Sequence, residues 1–390
     1  MPSPELFDAG LLSPATAGSD GIVSDQAVLD ALWVAEVGYL RALVAVGIAP
    51  ASAELPDGHE PFDLAEIVRR ARDGGNPVIP LIAELKKANP DAAAWIHRGA
   101  TSQDILDTAL MLTAQRARGL ILGQLDQSIA SLATLAETHR GTVAAARTLT
   151  QHAVPTTYGL RFATWLTTLL DARDALAAVT LPVQLGGAGG TLASLVELGG
   201  LEKAVAMPAA FAEQIGLEHS APWHVSRAPV TRLGDALVGL TDAFGTIGAN
   251  VATLSRTEIG ELSEPSPGGS STMPQKQNPV LSVLLRSVSL RAPGLASTLH
   301  VAAASFVDER PDGAWHAEWP TLRELLRLAV GGSARLAELL AGLTVNLENV
   351  ARNETLDDLR AEQRSFGGSK GDYTGLSNHF IDLAIERARA

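Results

Sequence analysis

Residues 233–254 read LGDALVGLTDAFGTIGANVATL. The large apolar residues fall at Leu233, Leu237, Leu240, Phe244, Ile247, Val251 and Leu254, spaced alternately by four and three. That spacing is the seam of a helix packed nearly parallel to its neighbours. Ala236, Ala243, Gly245, Gly248, Ala249 and Ala252 fill much of the remaining circumference, so the helix carries little charge and is enclosed on most sides. The same spacing recurs at Leu122, Leu125, Ile129, Leu132 and Ala136, and helical patterns continue through 156–180, 280–307 and 321–345. Long helices without a solvent face predict an all-α bundle whose core is shared between subunits.

The rest of the composition agrees. Of 390 residues 46% are hydrophobic but only 4% aromatic, so the core is built from Ala, Leu, Val and Ile, which suits close-packed helices. Acidic residues outnumber basic ones 43 to 30, and a net charge of −13 argues against a general nucleic-acid binder. It leaves room for an anionic substrate held by a few local cations. The chain has no cysteine, which excludes disulfides, thiolate catalysis and thiolate-held metals. No HExxH pair or EF-hand loop appears, and no metal or organic cofactor is expected. The opening MPSPELFDAG lacks the basic start and apolar run of a signal peptide. The uncharged stretch from Ala175 to Val196 is broken by Pro182, Gln184 and four glycines between 186 and 190, so it reads as a helix end and a loop. A cytoplasmic protein with no membrane or nucleic-acid partner is expected.

Three domains are expected: a helical N-terminal domain over 1–100, the bundle over 101–348, and a short C-terminal segment over 349–390. In the first, Ser24 and Asp25 are candidate N-caps for a helix through Val46, with further helices near 63–72 and 80–88. In the last, a Gly-rich loop at 364–375 precedes one short helix at 376–388.

Three polar segments stand at junctions between long helices. HRGATSQDILDT, residues 97–108, places Thr101 and Asp104 as a capping box; it serves either as a cap alone or as an anion site built on free N–H groups and hydroxyls. RTLTQHAVPTTYG, residues 147–159, puts Gln151 and His152 just before Pro155, which fits the first turn of the next helix. A histidine beside Ala and Val is either structural or catalytic. SEPSPGGSSTMPQKQNP, residues 263–279, combines prolines, glycines and serines in a loop that no packing argument demands. Asn278 reads as an N-cap and Pro279 as the first helical residue. A serine pair, a lysine six residues on from the first and a helix N-terminus suit proton transfer next to a carboxylate, because nearby positive charge makes a serine hydroxyl a usable base.

Residues 269–279, GSSTMPQKQNP, resemble the signature loop GSSxMPxKxNP of the fumarase/aspartase superfamily, and the other two segments resemble its remaining active-site regions. The likeness spans roughly residues 1–350. Within the superfamily, GAWHAEW at 313–319 and ELFD at 5–8 are similar to bacterial 3-carboxy-cis,cis-muconate cycloisomerases, which close a tricarboxylate diene to 4-carboxymuconolactone in protocatechuate breakdown. The resemblance implies a homotetramer with a core of long helices and active sites built from three subunits. It implies that Ser270 transfers the proton and that Lys276 and Asn278 bind a substrate carboxylate and steady the loop, with Ser271 beside them. Thr101 and Ser102 match carboxylate-binding positions, His97 is a further substrate-binding residue, Gln151 and His152 line the site, and Arg310 is a candidate cation for a further carboxylate.

Two departures matter. Many superfamily lyases carry Thr-His where this chain has Thr148-Leu149, and Leu149 cannot transfer a proton. Expelling an amine needs general acid help worth ~10²–10⁴ in rate, whereas ring opening of the lactone expels a carboxylate already stable at neutral pH. Leu149 therefore favours a lactonising enzyme over an adenylosuccinate-lyase-like enzyme releasing fumarate. The superfamily's third helical domain is also longer than the about 40 residues that follow the bundle here, which keeps a non-catalytic structural homologue open as a different class.

Overall fold

The computed structural model describes residues 8, 10–56, 58, 62–269, 272–273, 276–353, 359–368 and 371–390. Helix α1 (Asp25–Ala45) starts where Ser24 accepts the Ala27 N–H at 3.1 Å, as its sequence predicts. Helices α2 (Leu64–Gly74) and α3 (Val78–Ala88) follow. Then comes α4 (Ser102–Thr138), 37 residues long, which packs against α1.

The chain turns at the foot of α4 into a hairpin, β1 (Val143–Thr148) and β2 (Gln151–Thr157), paired antiparallel with Thr148 opposite Gln151. Pro155 therefore lies in β2 and not in a first helical turn. Helix α5 (Tyr158–Ala177) begins only after Thr157, which accepts the Leu160 N–H and caps it. The all-α architecture holds with this hairpin and one other two-stranded pair as its described sheet structure.

Helices α6 (Ala193–Gly199) and α7 (Leu201–Ile215) lead to α8 (Ala228–Leu254), whose seven seam residues are all buried. α8 packs against α9 (Val280–Ala304), α10 (Ala314–Ala341) and α5, and α4 closes on α5 and α10. Among the described helices α8 alone is long and apolar enough to cross a membrane, and it serves here as the central helix of the bundle. The strand β3 (Leu262–Ser263) pairs with β4 (Thr344–Val345). Among the described residues, three short helices follow: α11 (Leu347–Asn353), α12 (Ala361–Ser365) and α13 (Ser377–Arg389). Arg387 of α13 ties back to Asp171 and Asp174 of α5 at 2.5 and 2.7 Å.

Two boundaries differ from the sequence reading. α9 is capped at Pro279, one residue later than expected, because the Asn278 backbone is spent on a two-way bridge to Gly268, 2.9 Å in each direction. α10 starts at Ala314 and continues through Pro320, with the Trp315, His316 and Trp319 rings packed together in the turns before it.

Candidate active site

At the head of α4, Thr101 is the N-cap and donates its backbone N–H to Asp104 Oδ2 at 3.0 Å, the capping box of the sequence. Asp104 is fully buried and also accepts from Gly186 N (2.8 Å), Gly187 N (3.0 Å) and Gln184 Nε2 (3.1 Å). Burial pushes its carboxyl pKa up despite these four donors. One side chain thus fixes the glycine loop 186–190 against the start of α4. Arg310 reaches the same loop, donating to the Ala188 carbonyl at 3.2 Å, and has no carboxylate partner among the described residues. Thr101 and Ser102 are half-buried at the start of α4. His97 belongs to this end too, with Nδ1 2.9 Å from Glu36 Oε2.

Beneath lies a charge network that sequence reading missed. Arg227 is buried between Asp107 (2.7 and 3.1 Å) and Glu318 (2.6 and 3.0 Å), and Trp315 Nε1 donates to Asp107 at 2.8 Å. Its guanidinium stacks between Trp223 and Phe306. Burial raises the Glu318 pKa and Arg227 opposes it. This network anchors the heads of α8 and α10 to α4.

At the other end of α8 sits the hairpin. Its two-residue turn, Leu149-Thr150, has φ of +48° and +70°, and Leu149 is 96% exposed. Gln151 and His152 follow, both exposed on β2. Arg147 points inward to the buried Glu261 (2.5 Å), which also accepts from Tyr158 Oη (2.6 Å) and Asn353 Nδ2 (3.0 Å). Burial would raise the Glu261 pKa, but these donors outweigh it and hold the group below its ordinary value. Arg147 is therefore committed to structure. His152, Arg161 and Arg256 share with it a cleft of about 570 Å³.

The signature loop hangs at this same end. Ser270 and Ser271 lie outside the described residues. Lys276 is exposed, with its backbone N–H on the Met273 carbonyl at 3.0 Å. The Asn278 side chain donates to the Gly269 carbonyl at 3.4 Å, a contact that steadies the loop. The first N–H groups of α9 do not form an open anion site: Glu264 accepts those of Leu281 (3.0 Å) and Ser282 (2.8 Å). This corrects the expectation that they face substrate charge.

One chain thus gathers His97, Thr101, Ser102 and Arg310 at one end, and Gln151, His152, Lys276 and Asn278 at the other. The 27 residues of α8 separate the groups by about 40 Å at 1.5 Å per residue. Among the described residues no group of three or more His, Asp or Glu is placed to hold a metal ion. Of the residues missed, Glu36 left one signal in sequence, a lone acid within an apolar helical stretch; Glu261, with Glu258 and Glu264 beside it, left none, and the partners of both are 61 to 114 positions away.

A protein-family profile described as Lyase matches residues 40–294. The chain belongs to this lyase family, the fumarase/aspartase superfamily of the sequence resemblance, and is an enzyme of it. Several of its full-length relatives are bacterial 3-carboxy-cis,cis-muconate cycloisomerases; that of Pseudomonas aeruginosa is 38% identical, covering 100% of this chain and 86% of the relative. The nitrosuccinate lyase of Streptomyces davaonensis is 45% identical over 90% of this chain and 78% of its own length. Among solved structures, the 3-carboxy-cis,cis-muconate lactonizing enzyme of Pseudomonas putida matches with a TM-score of 0.84 at 33% identity, covering 98% of this chain and 88% of that one.

Proposed function

We propose that the protein is a cycloisomerase that closes 3-carboxy-cis,cis-muconate to 4-carboxymuconolactone. In the forward direction one substrate carboxylate adds to a double bond. The electron pair of that bond moves onto the carbon next to another carboxylate, and Ser270 delivers a proton there. Lys276 and Arg310 would stabilise the transient charge by fixed electrostatics.

Leu149 carries this reading: the tip of the hairpin presents an exposed alkyl side chain where a general acid would serve an amine lyase. Only a group stable as a free anion departs, or in reverse adds, without protonation. A carboxylate meets that condition. So does nitrite, and the 45% identity to a nitrosuccinate lyase favours a second reading on the same logic. There, a proton leaves the carbon next to one carboxylate, the C–N bond at the neighbouring carbon breaks, and fumarate and nitrite are released.

The working enzyme is proposed to be a homotetramer with sites shared between copies. Support comes from the separated half-sites and from the outer face of α9. Val283, Ser287, Leu290, Gly294, Ser297 and Val301 are exposed there at spacings of four and three, with Leu290 79% accessible. The small residues between the large apolar ones leave room for a second helix to approach closely. Incubating the purified protein with each substrate tests the function: loss of diene absorbance abolished by Ser270→Ala supports cycloisomerisation, and nitrite release from nitrosuccinate with no diene loss supports the second reading.

A further inference from the structure

Glu36 lies on α1 among Leu32, Ala35, Leu40 and Leu43, and is fully buried. Its Oε2 is 2.9 Å from His97 Nδ1, while its Oε1 is buried without a hydrogen-bond partner. One turn further along α1, Tyr39 Oη donates to the Arg98 carbonyl at 2.8 Å. These two contacts bind α1 to the segment that leads into Thr101 and Ser102.

That segment is strained. His97 holds φ at +60°, a conformation uncommon for residues with a Cβ. Gly99 holds +87°, and a Cβ there would approach Leu195 Cδ2 to 2.8 Å. A buried carboxylate is a costly means of attaching one helix to a loop when the surroundings are apolar. With Nδ1–H donating to Glu36 Oε2, Nε2 is the ring nitrogen left without a protein partner among the described residues.

We propose that Glu36 is a positioning residue of the site, fixing His97 so that Nε2 meets a carboxylate of the anionic substrate beside Thr101 and Ser102. Glu36 holds the ring by Nδ1, and the substrate carboxylate meets it at Nε2. This rests on the reading that the head of α4 binds substrate. It assigns Glu36, a residue of the N-terminal helices, to substrate recognition rather than to packing.

The test is a double-mutant cycle read by calorimetric binding of tricarballylate, an unreactive tricarboxylate, together with KM and kcat on whichever substrate is turned over. Glu36→Leu and His97→Gln each weaken tricarballylate binding roughly ten- to hundredfold, the loss expected for one charge-assisted hydrogen bond, and raise KM more than they lower kcat. The double variant is no weaker than either single one. Glu36→Gln retains most of the affinity, because its amide oxygen accepts the same Nδ1–H. If Glu36→Leu does not fold, Glu36→Met, close to Glu in length and lacking the acceptor, takes its place. Unchanged binding in the Glu36 variant, or losses that add in the double variant, overturns the proposal. A wild type that binds tricarballylate yet turns over neither substrate overturns the proposed reaction alone. A wild type that does not bind it overturns the site and this inference together.

Discussion

Thr101 and Lys276 lie at opposite ends of the bundle, one capping the head of α4 and the other beyond the foot of α8, about 40 Å apart along that helix. No side chain spans such a distance. If both serve one substrate, they come from different copies of the chain.

Mixing two inactive variants tests this. Thr101→Val and Lys276→Met are each expected to lose activity. When the two are co-expressed, some sites receive both native residues, and roughly a quarter of wild-type activity returns if copies assemble at random. Each variant alone stays inactive at any concentration. Steady-state assays of the purified mixture check this.

The exposed face of α9 is the proposed seam of the assembly. Leu290→Glu places a charge in the middle of the proposed seam, where burial of an unpaired carboxylate costs several kcal/mol. Analytical ultracentrifugation is expected to show wild type near four times the chain mass of 40.7 kDa and the variant near one.

Arg227 holds two buried acids. Arg227→Met leaves Asp107 and Glu318 without their cation and is expected to destabilise the fold by about 3–5 kcal/mol, read from urea unfolding. Replacing Glu318 by Gln costs less, because Asp107 remains to pair with Arg227.

Glu261 makes stability depend on pH. Its folded pKa is depressed below the ordinary value of 4.5, so its contribution is fully present above that value and is lost as pH falls through the lower folded value. Melting temperatures of wild type and Glu261→Gln are therefore expected to differ most at neutral pH and to converge in acid.

Much of the bundle was legible because the four-three pattern from Leu233 to Leu254 depends only on neighbours in sequence. The capping box at Thr101 and Asp104 was legible for the same reason. The hairpin was not. Its turn is Leu149-Thr150, without the Asn or Gly that positive φ at both positions favours, and Pro155 mimics a helix start. The turn keeps that strain, and Thr150→Gly is expected to raise stability by about 1 kcal/mol in thermal unfolding.

Site residues announced themselves as motifs, but their distribution did not. Thr101 and His152 are 51 positions apart, and only the length and direction of α4 and α8 show that they diverge. Glu36, Glu261 and Arg227 work through partners far along the chain, which no local spacing reveals. Glu264 reads as part of the loop 263–279 that no packing argument demands, yet it accepts the N–H groups of Leu281 and Ser282 in the first turn of α9.

The central claim is that Ser270 hands a proton to carbon as a stable anion adds, or takes one from carbon as that anion departs, without an acid at residue 149. The most direct measurement is the rate of 3-carboxy-cis,cis-muconate diene loss by wild type, Ser270→Ala and Leu149→Ala. Turnover by wild type, its loss by at least about 10² in Ser270→Ala, and its retention in Leu149→Ala are predicted. Ser270→Ala turning over at the wild-type rate would contradict the account.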